Sequence, residues 1–251
     1  MKTSNKAPRF FINQKISKET KFNQELIISD KEVVHKLKNV LRKNEGDSVV
    51  FLDNEGFEFF GIISKISKME IRVEKNKIEF YKKDNSENKN QKIILAPAIL
   101  KKDNFEFVLQ KCTEIGIKNF QPIISERTEK DNLNFERLEK IIKEASEQSE
   151  KIFLPIISKT KKLEEFLLEQ KKLSPQKNIF TLEFNSADFK ISKFKRMGKE
   201  IIFLVGPEGG WGENDLNIFE KFNVKKVSLG SQILRAETAS ISLSSLLLLG
   251  E

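Results

Sequence analysis

The sequence predicts an α/β protein in two parts: a small β-rich, barrel-like module over residues 1–80, a polar linker at 81–91, and a parallel-sheet domain over 92–251. Three observations carry that prediction. Apolar stretches flank a DNEG turn in SVVFLDNEGFEFFGIISKI and, with MEIRVEKNKIEFY, read as paired strands. The stretch YKKDNSENKNQ is polar throughout and has no apolar periodicity. From residue 92 onward short apolar runs alternate with amphipathic segments, which is the βαβα grammar of a sheet covered on both faces.

In chain order, DKEVVHKLKNVLR is the one helix expected in the first module, with Asp30 as its N-cap and the NEGD turn beyond its end. In the second part KIILAPAIL, IKNFQPII, IFLPII, NIFTLEF, EIIFLVG and VKKVSLG read as strands. DNFEFVLQKCTEIG, NFERLEKIIKEASEQS, KKLEEFLLEQ, NDLNIFEKF and AETASISLSSLLLL read as the helices between and after them. Phe105, Val108, Leu109, Cys112 and Ile115 share one helical face, so the single cysteine is expected to be a core thiol. One cysteine excludes an intramolecular disulfide and a thiolate cage, and one histidine, His35 among lysines, argues against a histidine metal site or a Ser-His-Asp triad.

No apolar run approaches the ~20 residues of a bilayer span, and MKTSNKAPRF lacks a secretory apolar core, so a cytoplasmic protein without membrane contact is expected. A net charge of +8 suits a polyanionic partner such as RNA, although lysine richness of this kind also arises from genome composition. Only seven of the 45 basic residues are Arg, which makes each guanidinium conspicuous, because its planar fork binds in a way Lys cannot copy.

Glycine is concentrated where two of the expected strands end. LVGPEGGWGEND holds Gly206, Gly209, Gly210 and Gly212, four of the chain's 11 glycines, directly after EIIFLV; VKKVSLG ends at Gly230. Each strand exit is followed by a polar loop and a helix start, so both loops reach the sheet edge where α/β proteins bind ligands. Gly209 and Gly210 let backbone groups approach a flat molecule, and Pro207 holds Gly206 extended. Glu208 stands where a phosphate cradle would want Lys, so a neutral or cationic ligand is favoured; S-adenosylmethionine, with an adenine edge and a sulfonium, meets that description. Arg235 follows the second strand exit and adds to the positive end of the next helix, which favours an anionic substrate group. The competing reading is an ordinary turn-rich connection.

These residues resemble the 16S ribosomal RNA uridine N3-methyltransferases, the RsmE family of the SPOUT class. The resemblance runs through RFF at 9–11, HKLKNVLRKNEGD at 35–47, LAPAILKKDNFEFVLQKCTEIGIKNFQPIISERT at 95–128, EASEQS at 144–149, LVGPEGGW at 204–211 and LGSQILRAETA at 229–239. It implies a PUA-like RNA-binding barrel, a C-terminal domain closed by a deep trefoil knot, and a homodimer acting on 16S RNA of the 30S subunit. It also implies an S-adenosyl-L-methionine site built from Leu204, Val205, Gly206, Pro207, Glu208, Gly209 and Gly210, from Leu229, Gly230, Ile233, Leu234 and Ala239, and from Leu182 and Glu183 as a third wall. Lys151 stands where the family pattern AxxQSxR has Arg.

For methyl transfer to uracil N3 the deprotonated nitrogen is itself the nucleophile, so no covalent cysteine is needed. Arg235 is expected to contact the anion spread over O2, N3 and O4, and Glu237 to orient that arginine or cap its helix. Arg9, Arg42, Arg127 and Lys151 are the expected RNA contacts. Gln148, Lys111, Glu114 and Arg127 belong to family motifs and line the pocket or the dimer seam, with Lys111 and Glu114 equally readable as surface charges on a helix. A transfer-RNA methyltransferase of the same class and a non-catalytic RNA-binding assembly factor are the alternatives.

Overall fold

A computed structural model of the chain describes residues 7–16, 25–81, 92–129, 132–174, 178–184 and 200–249; of the expected linker only Tyr81 lies among them. The chain divides into two compact units, Met1–Asp84 with Ser146–Leu154, and Asn85–Ala145 with Pro155–Glu251.

The first unit is built on strands β1 (Arg9–Phe11), β2 (Glu25–Ile28), β3 (Ser48–Leu52), β4 (Phe57–Ile66) and β5 (Ile71–Phe80). They form one sheet in the order β1-β3-β4-β5-β2, in which β1 and β3 are parallel and the other pairs antiparallel. The DNEG turn joins β3 to β4: Asp53 Oδ1 accepts from the N–H groups of Glu55 and Phe57, and Asn54 and Gly56 take the left-handed conformations that reverse the chain. The expected helix is only partly α. Asp30 caps α1 (Lys31–His35) by accepting from the N–H groups of Glu32 and Val33; a π-helical turn, Lys36–Val40, continues it until Arg42 at φ 51° ends it. Its apolar side, Val33, Val34 and Leu37, packs with Phe10, Phe51 and Phe59 in this unit's core.

Ser146–Leu154 belongs to this unit although its sequence neighbours do not. Glu147 Oε1 accepts from the Phe11 N–H at 3.0 Å and Asn54 Oδ1 from the Leu154 N–H at 2.7 Å. Contacts across 136 and 100 residues leave no local sequence signal.

The second unit holds a six-stranded, wholly parallel sheet in the order β13-β11-β12-β6-β7-β9. Its strands are β6 (Lys92–Pro97), β7 (Asn119–Phe120), β9 (Ile156–Ile157), β11 (Asn178–Leu182), β12 (Glu200–Val205) and β13 (Lys225–Val227). The run IKNFQPII does not form one strand: after β7 it breaks at Gln121-Pro122, and β8 (Ile123–Ile124) pairs separately with β10 (Lys161–Lys162).

Helices α2 (Lys102–Ile115), α3 (Phe135–Gln148), α4 (Leu163–Leu173), α5 (Glu213–Phe222) and α6 (Ala236–Leu248) lie where helical segments were expected. Period-2 alternation sends Ile201, Phe203 and Val205 of β12 into one core with Phe105, Leu109, Cys112, Leu138 and Leu243 from α2, α3 and α6. Ile202 and Leu204 go into another with Phe166, Leu167 and Phe219 from α4 and α5. Burial on both faces is why these strands read as unbroken apolar runs.

Candidate active site

β11 lies between β12 and β13, all three parallel, so their C-terminal ends arrive side by side. A cleft of about 550 Å³ opens there, and both glycine-bearing loops line it. From the first come Val205, Gly206, Pro207, Glu208 and Gly210; from the second Leu229, Gly230, Ile233, Leu234, Arg235, Glu237 and Ala239; from the end of β11 Leu182 and Glu183. Two expected residues are elsewhere. Leu204 points into the core on the α4–α5 face, by strand alternation, and Gly209 turns away to meet Arg127, whose Nη1 donates to its carbonyl at 2.7 Å.

The first loop is a tight turn, closed by a Gly210 N–H to Pro207 O bond of 2.9 Å with Gly210 at φ 70°. A Cβ at Gly206 would sit 3.2 Å from the Trp211 ring, a tight contact to which the indole must yield by a few tenths of an ångström; that ring stands edge-on to Phe219 with centroids 4.9 Å apart. Glu208 does not point a free charge at a ligand. Its Oε1 accepts from the Lys101 N–H at 3.0 Å and the Asn104 amide at 3.3 Å, so it caps the start of α2. Burial pushes the Glu208 carboxyl upward, but these bonds, with that of its own N–H and the nearby Lys101 charge, outweigh burial and hold it below the ordinary carboxylate value.

A clasp fixes the same loop from behind. Asp215, 2% exposed, accepts from the Gly212 N–H at 3.0 Å and from the Glu126 N–H at 3.1 and 3.2 Å, while Glu126 Oε2 accepts from the Asn214 N–H at 2.8 Å. The loop at 125–128 and the start of α5 therefore cap each other.

In the second loop β13 stops at Val227, short of the expected end at Gly230. The Ser228 hydroxyl donates to Gly230 O and accepts from its N–H, folding the exit into a turn with Gly230 at φ 141°. Ile233 is 81% exposed, and Arg235 is exposed at the N-cap of α6, with Glu237 in the first helical turn. Two buried polar atoms in the cleft, Trp211 Nε1 and Glu237 Oε2, have no hydrogen-bond partner among the described residues; Glu183 is ion-paired with Lys226 at 2.9 Å.

Sequence reasoning missed Lys101, Asn104, Phe184, Trp211, Ser228 and Gln232, which also line the cleft. Trp211, the only tryptophan and inside the glycine cluster, was the available signal; Lys101 and Asn104 reach Glu208 across more than 100 residues and gave none.

Outside the cleft, Cys112 is buried: burial pushes its thiol up to about 12 against a smaller opposing pull from the Ser244 hydroxyl, so it is no thiolate nucleophile. Lys111 and Glu114 pair with each other at 2.8 Å. Arg9 is largely buried and ion-paired with the buried Glu58, a structural arrangement rather than a guanidinium presented to phosphate. Arg42 and Arg127 are exposed, and Lys151 is half-buried in the first unit. Among the described residues no cluster of three or more His, Cys, Asp or Glu is arranged to hold a metal, and no helix is long and apolar enough to cross a membrane.

The RNA methyltransferase domain family matches residues 87–248, and the RNA methyltransferase PUA domain family matches 28–75. Ribosomal RNA small subunit methyltransferase E of Rickettsia conorii is 32% identical over 237 residues, covering 93% of this chain and 92% of the relative. The protein of the same name from Bacillus subtilis is 30% identical over 224 residues, 84% of each chain. The crystal structure of Ribosomal RNA small subunit methyltransferase E from Neisseria gonorrhoeae bound to S-adenosyl methionine has a TM-score of 0.81 at 26% identity, covering 97% of this chain and 98% of that one. With an RNA methyltransferase domain, a PUA domain and relatives similar over nearly their whole length, the chain belongs to the ribosomal RNA small subunit methyltransferase E family.

Proposed function

We propose that this chain methylates N3 of a uridine in 16S ribosomal RNA, with S-adenosyl-L-methionine as donor. The cleft at the ends of β11, β12 and β13 carries the reading, and the donor bound in the Neisseria gonorrhoeae relative supports it. The residues present suit that donor: the volume lies within the ~300–1,000 Å³ of small-molecule sites, the walls at Leu182, Val205, Leu229 and Leu234 are apolar, and Trp211 Nε1 and Glu237 Oε2 await partners. When bound, the donor supplies an electrophilic methyl on a sulfonium.

The chain's own residues then have distinct work. Gly206, Pro207, Gly210, Leu229 and Gly230 hold the donor through backbone and shape, while Glu208 acts through α2, by fixing the turn that carries Gly206, Pro207 and Gly210. Arg235 stabilises the uracil anion, its charge added to the first-turn N–H groups of α6. Glu237 Oε2, buried and unpartnered in the cleft, accepts a hydrogen bond from the ligands. Arg42 and Lys151 contact RNA phosphates and Arg127 contacts the RNA, and a trefoil threading of the C-terminal segment, a homodimer and a cytoplasmic location belong to the same reading.

Incubation with methyl-labelled S-adenosylmethionine and either 30S particles or transfer RNA, followed by nucleoside mass spectrometry, tests it. Label in 3-methyluridine from 30S particles is expected. Label only in transfer RNA identifies an enzyme of the alternative class, and label in neither identifies a non-catalytic assembly factor. Arg235→Ala is expected to lower kcat by about 10²–10³-fold while leaving donor Kd within a few-fold.

A further inference from the structure

A second cleft, of about 900 Å³, lies on the other side of the Glu208–Gly209 turn, and Lys101 and Glu208 belong to the walls of both clefts. Its floor is apolar, with Ile99, Leu100 and Leu138 buried and Leu133 packed on the same core as Leu138. Its rim carries the amides of Asn132 and Asn134 and the guanidinium of Arg127. Asn134 Oδ1 caps α3 by accepting from the Arg137 N–H at 3.0 Å, which leaves its NH₂ to donate elsewhere.

The charges select the occupant. Lys101, Lys102 and Arg127 face four carboxylates, Glu106, Glu126, Glu129 and Glu208. Glu106 is kept ionised by Arg137, whose hydrogen bond holds its carboxyl below the usual range. With Glu106 paired to Arg137, a phosphate would find no surplus of positive charge in this wall. A neutral flat group with donors and acceptors along its edge matches instead: apolar floor beneath, a guanidinium to stack on and amides to read the edge, which is how proteins hold an unstacked nucleobase.

We propose that this second cleft is a subsite for a nucleobase of the same RNA strand, adjacent to the base that receives the methyl group. The inference rests on the proposed function. A strand laid across the shared Lys101–Glu208 wall presents consecutive bases to the two clefts, and Arg127, bonded to Gly209 O, stands at the crossing.

Two variants alter the second cleft without changing a residue that lines the first: Leu133→Phe fills its floor, and Lys102→Glu reverses an exposed charge at its rim. The single Trp211, in the first cleft, reports donor binding by fluorescence, and a labelled single-stranded oligoribonucleotide of about 10 nucleotides reports RNA binding by anisotropy. Both variants are expected to bind the oligonucleotide about tenfold or more weakly, with the Trp211 response to S-adenosylmethionine unchanged. Wild-type oligonucleotide affinity in both overturns the subsite, and so does equal loss of the donor response, which makes the cleft merely structural. Failure of the wild-type protein itself to respond to donor overturns the proposed function instead.

Discussion

At the residue scale, Glu208 shows how a motif residue acquires a role its sequence position does not announce. Its carboxyl is depressed on folding, so its bonds to the start of α2 stabilise the protein above the ordinary value near 4.5 and are lost as pH falls through the lower folded value. Glu208→Gln is therefore expected to flatten the acid limb of a melting-temperature profile below about pH 4.5 and to leave the neutral region flat; an unchanged acid limb rules the cap out as its source. Gly206 acts through space. A methyl placed 3.2 Å from Trp211 forces the indole back, and Gly206→Ala is expected to weaken donor binding by about 1–2 kcal/mol, a factor of roughly 5–30, measured by calorimetry. Unaltered affinity would mean that the indole is not a wall of the donor site.

At the element scale, the clasp between the loop at 125–128 and the start of α5 determines where the first glycine loop stands. Asp215 was legible as a helix start; that it also takes the Glu126 N–H, 89 residues away, was not. Removing it leaves the buried Gly212 N–H and the partly buried Glu126 N–H without acceptors. Asp215→Ala is expected to cost about 2–3 kcal/mol in urea denaturation, with Asp215→Asn recovering part of the loss because one acceptor oxygen remains. The helix DKEVVHKLKNVLR carries a related lesson. Its N-cap was readable from Asp30, but its second half relaxes into a π turn, with the Leu41 N–H bonding Lys36 O, under packing no local propensity records.

At the scale of the whole molecule, two arginines read together from the sequence separate by burial. Arg9 neutralises Glu58, which is 2% exposed, so Arg9→Ala strands a buried carboxylate and is expected to cost about 3–5 kcal/mol of stability. Arg42 is exposed, so Arg42→Ala is expected to leave the melting temperature unchanged and to lower the salt slope of RNA binding by about one unit; a destabilised Arg42→Ala or a stable Arg9→Ala reverses the assignment. The sequence by itself determined helices α2 to α6 and most of the strands of the second unit, the two glycine-punctuated strand exits and the family, because apolar periodicity, turn residues and motif spacing are local properties of the chain; the split of IKNFQPII and the pairing of its second half with Lys161–Lys162 lay outside that reading. Only the tertiary structure decided that β11 lies between the two exits, that Gly209 turns away from the cleft, that Glu208 serves α2, and that Ser146–Leu154 joins the first unit. The physical reason is the same in each case: these outcomes are set by sheet order and by hydrogen bonds between groups scores of residues apart, and neither leaves a trace in the short-range pattern.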